Sequence, residues 1–353
     1  MKQTLAALAL LLAAEGQAQT QISTYQPGVT LEGVTYFLPQ TALRVTVKAQ
    51  KRVTHPGRLN KYAFRYLRLN DVPTEEQTQW TLMGITAEPY GVADKTKAYS
   101  IKLKNKTVAP LVSLSHDGVL LSINAEQEEA RLSDTPADVP AAPRTSPARY
   151  MSQEILAAGS TAKQAELCAQ EIYDLRESRK DLVSGQADNT PKDGQQLQLM
   201  LSQLDEQASA LESLFAGHTE TSTHYFTFDV LPTQTNSRQV LFRFSAIQGP
   251  VEADDVMGVP VYLTMQSLDA LPELTPDEDA DKKKQKMQQG VWYNVPARQH
   301  ITISDLGRTY TEMDVAMGQF GHTEVLGTIL FDKKTTTKAY FHPENGGLRK
   351  LEQ

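Results

Sequence analysis

The strongest structural pattern in this chain lies in residues 160–185, which read STAKQAELCAQEIYDLRESRKDLVSG. Apolar side chains recur there every three or four positions, the spacing of the buried side of an amphipathic helix; they are Ala165, Cys168, Ile172, Leu175 and Leu182. Ser160 is a favourable N-cap, and Gly185 is a favourable residue just past a helix end. These signals predict a helix from Thr161 to the residue before Gly185, with Arg179 occupying one position of the apolar stripe.

A second helix is predicted in residues 193–217, which read DGQQLQLMLSQLDEQASALESLFAG. Asp193 and Gln196 form a capping pair at its start, and Gly217 marks its end. Its apolar stripe has the same spacing and comprises Leu197, Leu201, Leu204, Ala208, Leu211 and Phe215. Because the connection between the two helices is short and rich in Asn, Asp and Pro, we expect them to pack as a long antiparallel hairpin.

Alternation of apolar and polar residues, the pattern of half-buried strands, dominates on both sides of the helices. The predicted fold class is α+β, with two β-rich units separated by the long antiparallel helical hairpin. The predicted divisions are a signal peptide 1–18, an N-terminal β-rich domain 19–124, a Pro/Ala-rich linker 125–150, the helical hairpin 151–220, and a C-terminal β-rich domain 221–353 with a charged insert 269–290. The sequence leaves open whether the two β segments fold separately or pair into one sandwich with the hairpin inserted.

Two tight β-hairpins are predicted from their turn residues. Asp117 and Gly118 lie between two apolar runs, and Asp-Gly favours the positive φ angles that such a turn requires. The last hairpin is expected to pair residues 337–341 with residues 348–351 across a Gly-containing turn. Strand order beyond these local pairs does not follow from the sequence.

The first eighteen residues have the pattern of a secretory signal peptide. Lys2 provides a basic start, residues 5–14 form an apolar core too short to span a bilayer, and Gly16 and Ala18 are small residues suited to signal peptidase. We therefore expect export, with cleavage after Ala18. The rest of the chain has no apolar run long enough for a transmembrane segment. The single cysteine, Cys168, does not lie at the cleavage point, so no lipid anchor is expected.

Composition excludes one broad class of function. The chain of 353 residues has a formal net charge of −7, and its basic and acidic residues are interspersed. Nucleic-acid binding requires a one-sided positive surface. We therefore predict no nucleic-acid partner. The hydrophobic fraction of 40% and the charged fraction of 22% are typical of an ordinary globular protein.

Several short phrases of the chain occur together in a known family. They include Gly33-Val34-Thr35-Tyr36-Phe37-Leu38-Pro39, Glu88-Pro89-Tyr90-Gly91-Val92, Ala109-Pro110-Leu111-Val112-Ser113-Leu114, Gly159-Ser160-Thr161-Ala162-Lys163 and Leu330-Phe331-Asp332-Lys333-Lys334-Thr335-Thr336-Thr337. With them, nearly all of the mature chain resembles the exported proteins of the Bacteroides group that form domain-of-unknown-function family 4831. The resemblance implies an address in a Gram-negative envelope, periplasmic or associated with the outer membrane. It implies no activity and no catalytic or binding residue.

Signatures of catalysis, cofactors and metals are missing from the sequence. Zinc sites use three or four ligands at short spacings. The seven histidines are scattered, and the nearest pair, His218 and His224, is six residues apart. There is no Gly-x-Ser-x-Gly elbow and no glycine-rich phosphate or dinucleotide loop. We therefore expect no catalytic residue, no cofactor and no metal ligand, although a catalytic triad assembled from distant residues has no sequence motif.

Two sets of residues are candidates for binding. Leu167, Met200 and Leu214 lie off the main stripes of the two helices and widen their apolar face, which favours contact with a partner protein. Trp80, Trp292 and Tyr293 are candidates for stacking against a sugar or a peptide. Aromatic residues in alternating strands more often pack in the core or across strands, so both interpretations stay open.

The function predicted first is that of a non-catalytic envelope protein, structural or part of an assembly, which contacts an envelope partner through the hairpin or a sheet edge. The alternative is a module that binds carbohydrate or peptide, or a hydrolase, with its site between the two β units. A pocket with two carboxylates, or Trp80 and Trp292 on one face, would favour the alternative. Filled clefts and an apolar stripe on the outside of the hairpin would favour the first. The sequence leaves the oligomeric state undetermined.

Overall fold

The computed structural model describes residues 21–24, 34–102, 111–129, 131–187, 193–269, 290–327, 330 and 337–353. The predicted signal peptide and residues 270–289 of the predicted charged insert lie outside the described residues. The strands are β1 Gln21–Thr24, β2 Val34–His55, β3 Gln77–Lys102, β4 Val112–Leu114, β5 Leu120–Ile123, β6 His218–Val230, β7 Arg238–Ser245, β8 Gly249–Val251, β9 Val259–Ser267, β10 Val291–Ser304, β11 Thr309–Leu326, β12 Lys338–Phe341 and β13 Leu348–Glu352. The helices are α1 Ala63–Leu67, α2 Gln153–Leu156, α3 Thr161–Ser184 and α4 Gly194–Ala216. The predicted α+β class is confirmed.

Helices α3 and α4 begin and end where their capping residues predict. The Ser160 Oγ accepts a hydrogen bond from the Lys163 N–H at 3.2 Å, and Gly185 follows α3 in the left-handed conformation. The Asp193 Oδ1 accepts from the Gln195 N–H at 3.0 Å at the start of α4. Ion pairs Arg176–Glu212 and Arg179–Asp205 join the two helices in antiparallel order. None of the described helices has the length and apolar character needed to cross a membrane.

A four-stranded antiparallel sheet in the order β1-β3-β2-β6 joins the two β segments of the sequence. β2 and β3 form a hairpin of 22 and 26 residues. β6 then pairs with β2 from Leu43↔Val230 to His55↔His218. Since β2 precedes the helices in the chain and β6 follows them, strands of both segments are hydrogen-bonded neighbours. The first sheet therefore contains strands of both β segments.

A five-stranded sheet in the order β11-β10-β9-β7-β8 packs against part of this first sheet. The first sheet contributes alternate residues of β2, such as Val45 and Val47, which are fully buried between the exposed or half-buried positions of the strand. The second sheet contributes Phe242, Leu263, Ile301 and Met317, among others. Burying each such side chain stabilises the fold by about 1.5–3 kcal/mol. This sandwich holds one of the hydrophobic cores.

A third sheet, in the order β13-β12-β5-β4, packs at the other end of β2 and β3. It contains both predicted hairpins, β4–β5 around Gly118 and β12–β13. β5 and β12 are neighbours, so this sheet also combines the two β segments. Its core includes Tyr36, Leu38, Ile101, Leu120 and Phe341, each nearly or fully buried.

The helices form a separate core where β2 ends and β6 begins. It combines Leu59 and Ala63 with Ile155 of α2, the stripe of α3, and the last turns of α4, where Leu211 and Phe215 are fully buried. The backbone at Gly57 passes so close to α4 that a Cβ there would lie 2.3 Å from the Leu214 carbonyl oxygen. The Leu59 N–H donates to the same oxygen at 2.7 Å.

The predicted linker follows the free edge of β6 for part of its length. Val139 forms an antiparallel bridge with Thr223, with N–H···O distances of 2.9 and 2.8 Å in the two directions. Residues 147–150 form a short 3-10 turn before α2. The linker thus leads from the third sheet, along β6, to the helices.

Candidate functional site

Strand β6 presents a row of polar side chains on one face. Side chains alternate along a strand, so the even-numbered residues share a face; in order they are His218, Glu220, Ser222, His224, Phe226, Phe228 and Val230. The last three pack against the sandwich core. The first four continue toward the end of β6 that joins α4. They bring two imidazoles, a carboxylate and a hydroxyl onto one surface.

The first group on this face consists of His55, His218 and Glu220, termed here the histidine–glutamate cluster. His55 of β2 is the register partner of His218, and their rings stack with centroids 4.8 Å apart. The Glu220 carboxylate lies 3.3 Å from His218 Nε2 and 3.8 Å from His55 Nε2. One ligand atom from each residue lies within 4.8 Å of the other two. Imidazole nitrogens and a carboxylate oxygen are the donors found in zinc sites.

Two further charged residues border the cluster. The Glu76 carboxylate, just before β3, lies 3.0 Å from His55 Nδ1. The Arg144 guanidinium donates to Ser213 Oγ at 3.2 Å and lies near enough to act on His218. Partial burial is the largest cause that lowers the pKa of His218, and the charge of Arg144 is the second. Glu220 acts in the opposite direction. The His218 imidazole is therefore mainly neutral at pH 7.

The second group on the face is a hydrogen-bonded relay of Asp138, His224 and Ser222. Asp138 Oδ2 lies 2.8 Å from His224 Nδ1, and His224 Nε2 lies 2.8 Å from Ser222 Oγ. The Tyr225 N–H donates to the other oxygen of Asp138 at 2.9 Å. These bonds hold the pKa of Asp138 below its usual value, the backbone bond contributing most. The order carboxylate, imidazole, hydroxyl is that of a serine-hydrolase triad.

The backbone around Ser222 does not provide the second requirement of such a triad. An oxyanion hole needs backbone or side-chain donors directed at the reacting carbonyl oxygen. The Thr223 N–H donates to Val139 and the Tyr225 N–H donates to Asp138, so both amides already have partners. The hydrogen bonds of the relay instead connect the linker to β6. The Asp138 side chain forms this connection next to the backbone bridge at Val139.

Trp80 lies near the start of β3, whereas Trp292 and Tyr293 lie on β10, beside the other end of β3. Trp80, near the start of the strand, contacts His224 and Phe226 at centroid distances of 5.2 and 5.9 Å. Trp292 stacks on Tyr99, near the end of this 26-residue strand, at 5.5 Å. A strand rises roughly 3.3 Å per residue, so the two tryptophans do not share one ligand face.

Tyr293 lies next to Trp292 and is held by its own contacts. Its hydroxyl donates to Glu324 at 2.9 Å, and its ring packs against Phe341. Partial burial and the Glu324 carboxylate raise the pKa of Tyr293 to about 12. All three aromatic candidates therefore have intramolecular ring contacts.

The three partner-binding candidates differ in burial. Leu214 is 9% exposed and Leu167 is half-buried, and both pack in the helical core. Met200 is 38% exposed and lies beside a groove of about 580 Å³ between α3 and α4. This distal groove, lined mainly by Leu182, Leu199, Met200 and Leu204, lies at the end of the hairpin away from the sheets. Cys168 is fully buried in the helical core, and burial raises the pKa of its thiol to about 11.

A wide cleft of about 930 Å³ lies between the two β segments. Its lining is strongly acidic and includes Glu88 and Asp117 from the first segment, Glu128, Glu129 and Asp134 from the linker, and Glu344 from the second segment. Some of these carboxylates have structural partners: Glu88 accepts from the Ser133 N–H at 3.1 Å, and Glu129 accepts from the His116 N–H at 3.0 Å. The cleft is a concave surface with several carboxylates.

The histidine–glutamate cluster is the feature that reasoning from the sequence missed. The nearest histidines in the sequence, His218 and His224, do share a face, but six residues of strand separate them by roughly 20 Å. The true neighbour of His218 is His55, which lies on another strand. A usable signal was present in residues 218–224, where all side chains are polar and the ionisable ones, His218, Glu220 and His224, fall on even-numbered positions.

Comparison with protein families gives one result. The model of a domain of unknown function, DUF4831, matches residues 32–349. No curated protein and no solved structure is significantly similar to the chain. The match spans all three sheets and the helices, from the start of β2 to the last strand. The chain therefore belongs to the family defined by the domain of unknown function DUF4831.

Proposed function

We propose that this protein is an exported envelope component that binds a partner protein through the distal groove and has no catalytic activity. The observation that carries the proposal is the exposure of large apolar side chains at this end of the hairpin. Leu199 and Val183 are each 61% exposed and Met200 is 38% exposed. Clustered apolar side chains on a surface mark interaction sites more often than isolated ones do.

The position of the groove supports a role in binding. Near the sheets, α3 and α4 are covered by α1, α2 and neighbouring loops, which complete a core. At the distal end the described lining of the groove comes from α3, α4 and Ala187, which follows α3. A partner that covered Leu199 and Met200 would gain about 1.5–3 kcal/mol for each side chain fully buried. A sheet edge is the second candidate surface, since β11 lies at the end of the five-stranded sheet.

Export is supported by the sequence of residues 1–18, with its basic start, apolar core and small residues before the cleavage point. We propose cleavage after Ala18 and a periplasmic or outer-membrane-associated location in a Gram-negative bacterium. The non-catalytic role is supported by the relay of Asp138, His224 and Ser222, whose nearest backbone amides already have partners.

The test is affinity purification of the tagged mature chain from detergent-solubilised native envelopes. The variant Leu199→Glu/Met200→Glu places two charges in the distal groove without touching the helical core. Leu306→Glu is the matched control, because Leu306 is 74% exposed and lies between β10 and β11, in another part of the molecule. Circular dichroism and thermal unfolding first establish that both variants fold as the parent does.

We expect one stoichiometric partner with the parent chain and with Leu306→Glu, and its loss with the double variant. A partner that remains bound to the double variant and is lost after substitutions along the outer edge of β11 would move the binding surface to the sheet edge. No stoichiometric partner with any chain would contradict the proposed function. Fractionation of the same cells tests the proposed location, because a cytoplasmic chain that retains residues 1–18 would contradict export.

A second candidate function is the binding or hydrolysis of a carbohydrate or peptide in the acidic cleft. The specific observation in its favour is that both β segments line this cleft with carboxylates. The test is a thermal-shift and turnover screen of glycans and basic peptides, with Glu88→Gln/Glu344→Gln as the cleft variant. A ligand that stabilises the parent chain and not the variant would support it, and no ligand in such a screen would leave protein binding as the better account.

A further inference from the structure

We propose that His55, His218 and Glu220 bind one divalent transition-metal ion of the zinc class. The proposal is independent of the distal groove and of the acidic cleft. It rests on three observations of the described residues: the convergence of three ligand atoms, an outer carboxylate on one imidazole, and a rigid backbone that sets the spacing.

The backbone spacing follows from the pairing of β2 with β6. His55 and His218 are directly opposite in the antiparallel register, and Glu220 is two residues further along β6 on the same face. Directly opposite residues in such a pair have Cβ atoms about 5 Å apart, and residues two apart on one strand share a face. Three donors are therefore held on one surface by main-chain hydrogen bonds and not by a mobile loop.

The distances between donors are close to those of a coordinated ion. Ligands at about 2.0–2.1 Å from zinc in a tetrahedral site are roughly 3.4 Å from one another. Glu220 Oε1 is already 3.3 Å from His218 Nε2, and the other oxygen, Oε2, is 3.8 Å from His55 Nε2. The three ligand atoms lie within 4.8 Å of one another, and binding of one ion requires the stacked His55 and His218 rings to turn so that their nitrogens converge.

Glu76 prepares His55 as a ligand. Its carboxylate lies 3.0 Å from His55 Nδ1 and so holds the proton on that nitrogen. The lone pair is then on Nε2, the nitrogen that faces Glu220. Metal-binding histidines nearly always donate their other N–H to a carboxylate, a carbonyl or water in this way. Glu76 is thus a positioning residue and not a ligand.

The donor set defines the class of ion. Two imidazoles and one carboxylate suit Zn²⁺, Co²⁺ or Ni²⁺, whereas Ca²⁺ and Mg²⁺ require sets of oxygen donors. Three protein ligands leave one tetrahedral position for water or a further group. The Arg144 guanidinium opposes a cation here, but the two carboxylates of Glu76 and Glu220 outnumber it.

A metal ion at this point would connect the helices to the sheet. His55 ends β2 just before Gly57, and His218 begins β6 directly after α4. Glu76 lies next to the first residue of β3. The chain has one cysteine and so no internal disulfide. The ion would therefore cross-link β2 to β6, and Glu76 would join the site indirectly through its contact with His55.

The test is a metal titration of the mature full-length chain after treatment with a chelator. We expect one Zn²⁺ per chain by competition with a chromophoric chelator, and visible absorption from tetrahedral Co²⁺ at the same stoichiometry. Since an ion that binds only the folded state stabilises it, the unfolding temperature rises by a few degrees with zinc. All three readouts are independent of any activity.

Substitutions test which residues bind the metal ion. His55→Asn and His218→Asn are expected to weaken zinc binding by more than about 100-fold, and Glu76→Gln by about 10- to 100-fold with the stoichiometry retained. His300→Gln is the matched control: His300 also contacts two carboxylates, Glu312 and Asp314, but through different ring nitrogens, so these cannot converge on one ion. Its zinc affinity should equal that of the parent chain.

Two results would overturn the proposal. The first is the absence of a stoichiometric site in the metal-free parent chain at neutral pH, a measurement that requires no variant to fold. The second is a zinc site that keeps its affinity in His218→Asn, or that is lost equally in His300→Gln. Unfolding curves recorded in chelator show whether the metal-free variants match the metal-free parent.

Discussion

The two halves of the helical hairpin carry the same apolar repeat and differ in how deeply it is buried. In the root, which comprises residues 161–175 and 208–216, Cys168, Ile172, Leu211 and Phe215 are fully buried. In the tip, residues 176–184 and 194–205, Leu182 of α3 is buried, but the α4 stripe residues Leu197 and Leu201 are half-buried and Leu199 is exposed. The root is covered by α1, α2 and residues around Leu59, whereas the described groove at the tip is lined by α3, α4 and Ala187. The apolar stripes therefore predict that the two helices pack together. How deeply each stripe residue is buried depends on which other elements cover the helices.

The largest difference between root and tip is expected from core truncation. Phe215→Ala should lower the free energy of unfolding by about 3–5 kcal/mol, because it leaves a cavity in a fully buried site. Leu199→Ala, at 61% exposure, should change it by less than about 0.5 kcal/mol. Urea unfolding of both variants measures the two values. Comparable losses at the two positions would contradict the division into root and tip.

Two glycines give a matched comparison of backbone packing. Gly57→Ala at the root would place a Cβ 2.3 Å from the Leu214 carbonyl oxygen and should destabilise the fold by about 1–3 kcal/mol. Gly194→Ala, in the first turn of α4 at the tip, meets nothing within 4 Å and should stabilise it by about 0.4–1 kcal/mol. Thermal unfolding separates the two signs. A neutral Gly57→Ala would mean that the contact with α4 is looser than described.

The helix caps provide a smaller test. Ser160→Ala removes the hydrogen bond to the Lys163 N–H at the root, with an expected loss of about 1 kcal/mol in global unfolding. Asp193→Ala removes the corresponding bond at the tip. If the tip opens locally, its cap contributes mainly to local stability. Hydrogen exchange of the first turn of α4 should then accelerate, with less change in global unfolding, and equal global losses would argue against local opening.

The smallest effect is expected for the ion pairs between the helices. Arg179 and Asp205, in the tip, are 47% and 54% exposed, and such pairs contribute less than about 1 kcal/mol. A double-mutant cycle with Arg179→Ala and Asp205→Ala should return a coupling in that range that decreases with salt. A coupling insensitive to salt would indicate that the pair is more buried than its exposure shows.

Local signals in the sequence were sufficient for the elements that depend on neighbouring residues. Ser160, Gly185, Asp193 and Gly217 determine the helix ends, because capping requires atoms only a few residues away. Asp117 and Gly118 likewise specify the β4–β5 turn, with Gly118 at positive φ. Arg179, an unexpected residue in an apolar stripe, is explained only by its partner Asp205 on the other helix.

Pairings between distant segments did not follow from the sequence. Alternation predicts a strand from Thr223 onward, but any strand with a similar pattern is an equally suitable neighbour. The register of β2 with β6 is what brings His55 beside His218, and 165 residues separate Thr54 from its neighbour Thr219. The histidine–glutamate cluster therefore depends on a long-range strand pairing, which the sequence does not specify. Burial of Leu214 and exposure of Leu199 similarly depend on which elements cover α4.

The pairing of β2 with β6 also has a consequence for the rate and order of folding. Only residues 56–76 separate β2 from β3, so these two strands can form their hairpin early. β6 can pair with β2 only after residues 56–217 have been synthesised. Contacts between distant segments slow folding because the loop between them must be closed first. Until β6 pairs, the β2 edge from Leu43 to His55 is available to other strands. Early formation of α3 and α4 would shorten the effective loop, so the helical hairpin assists the closure of the sheet that it interrupts.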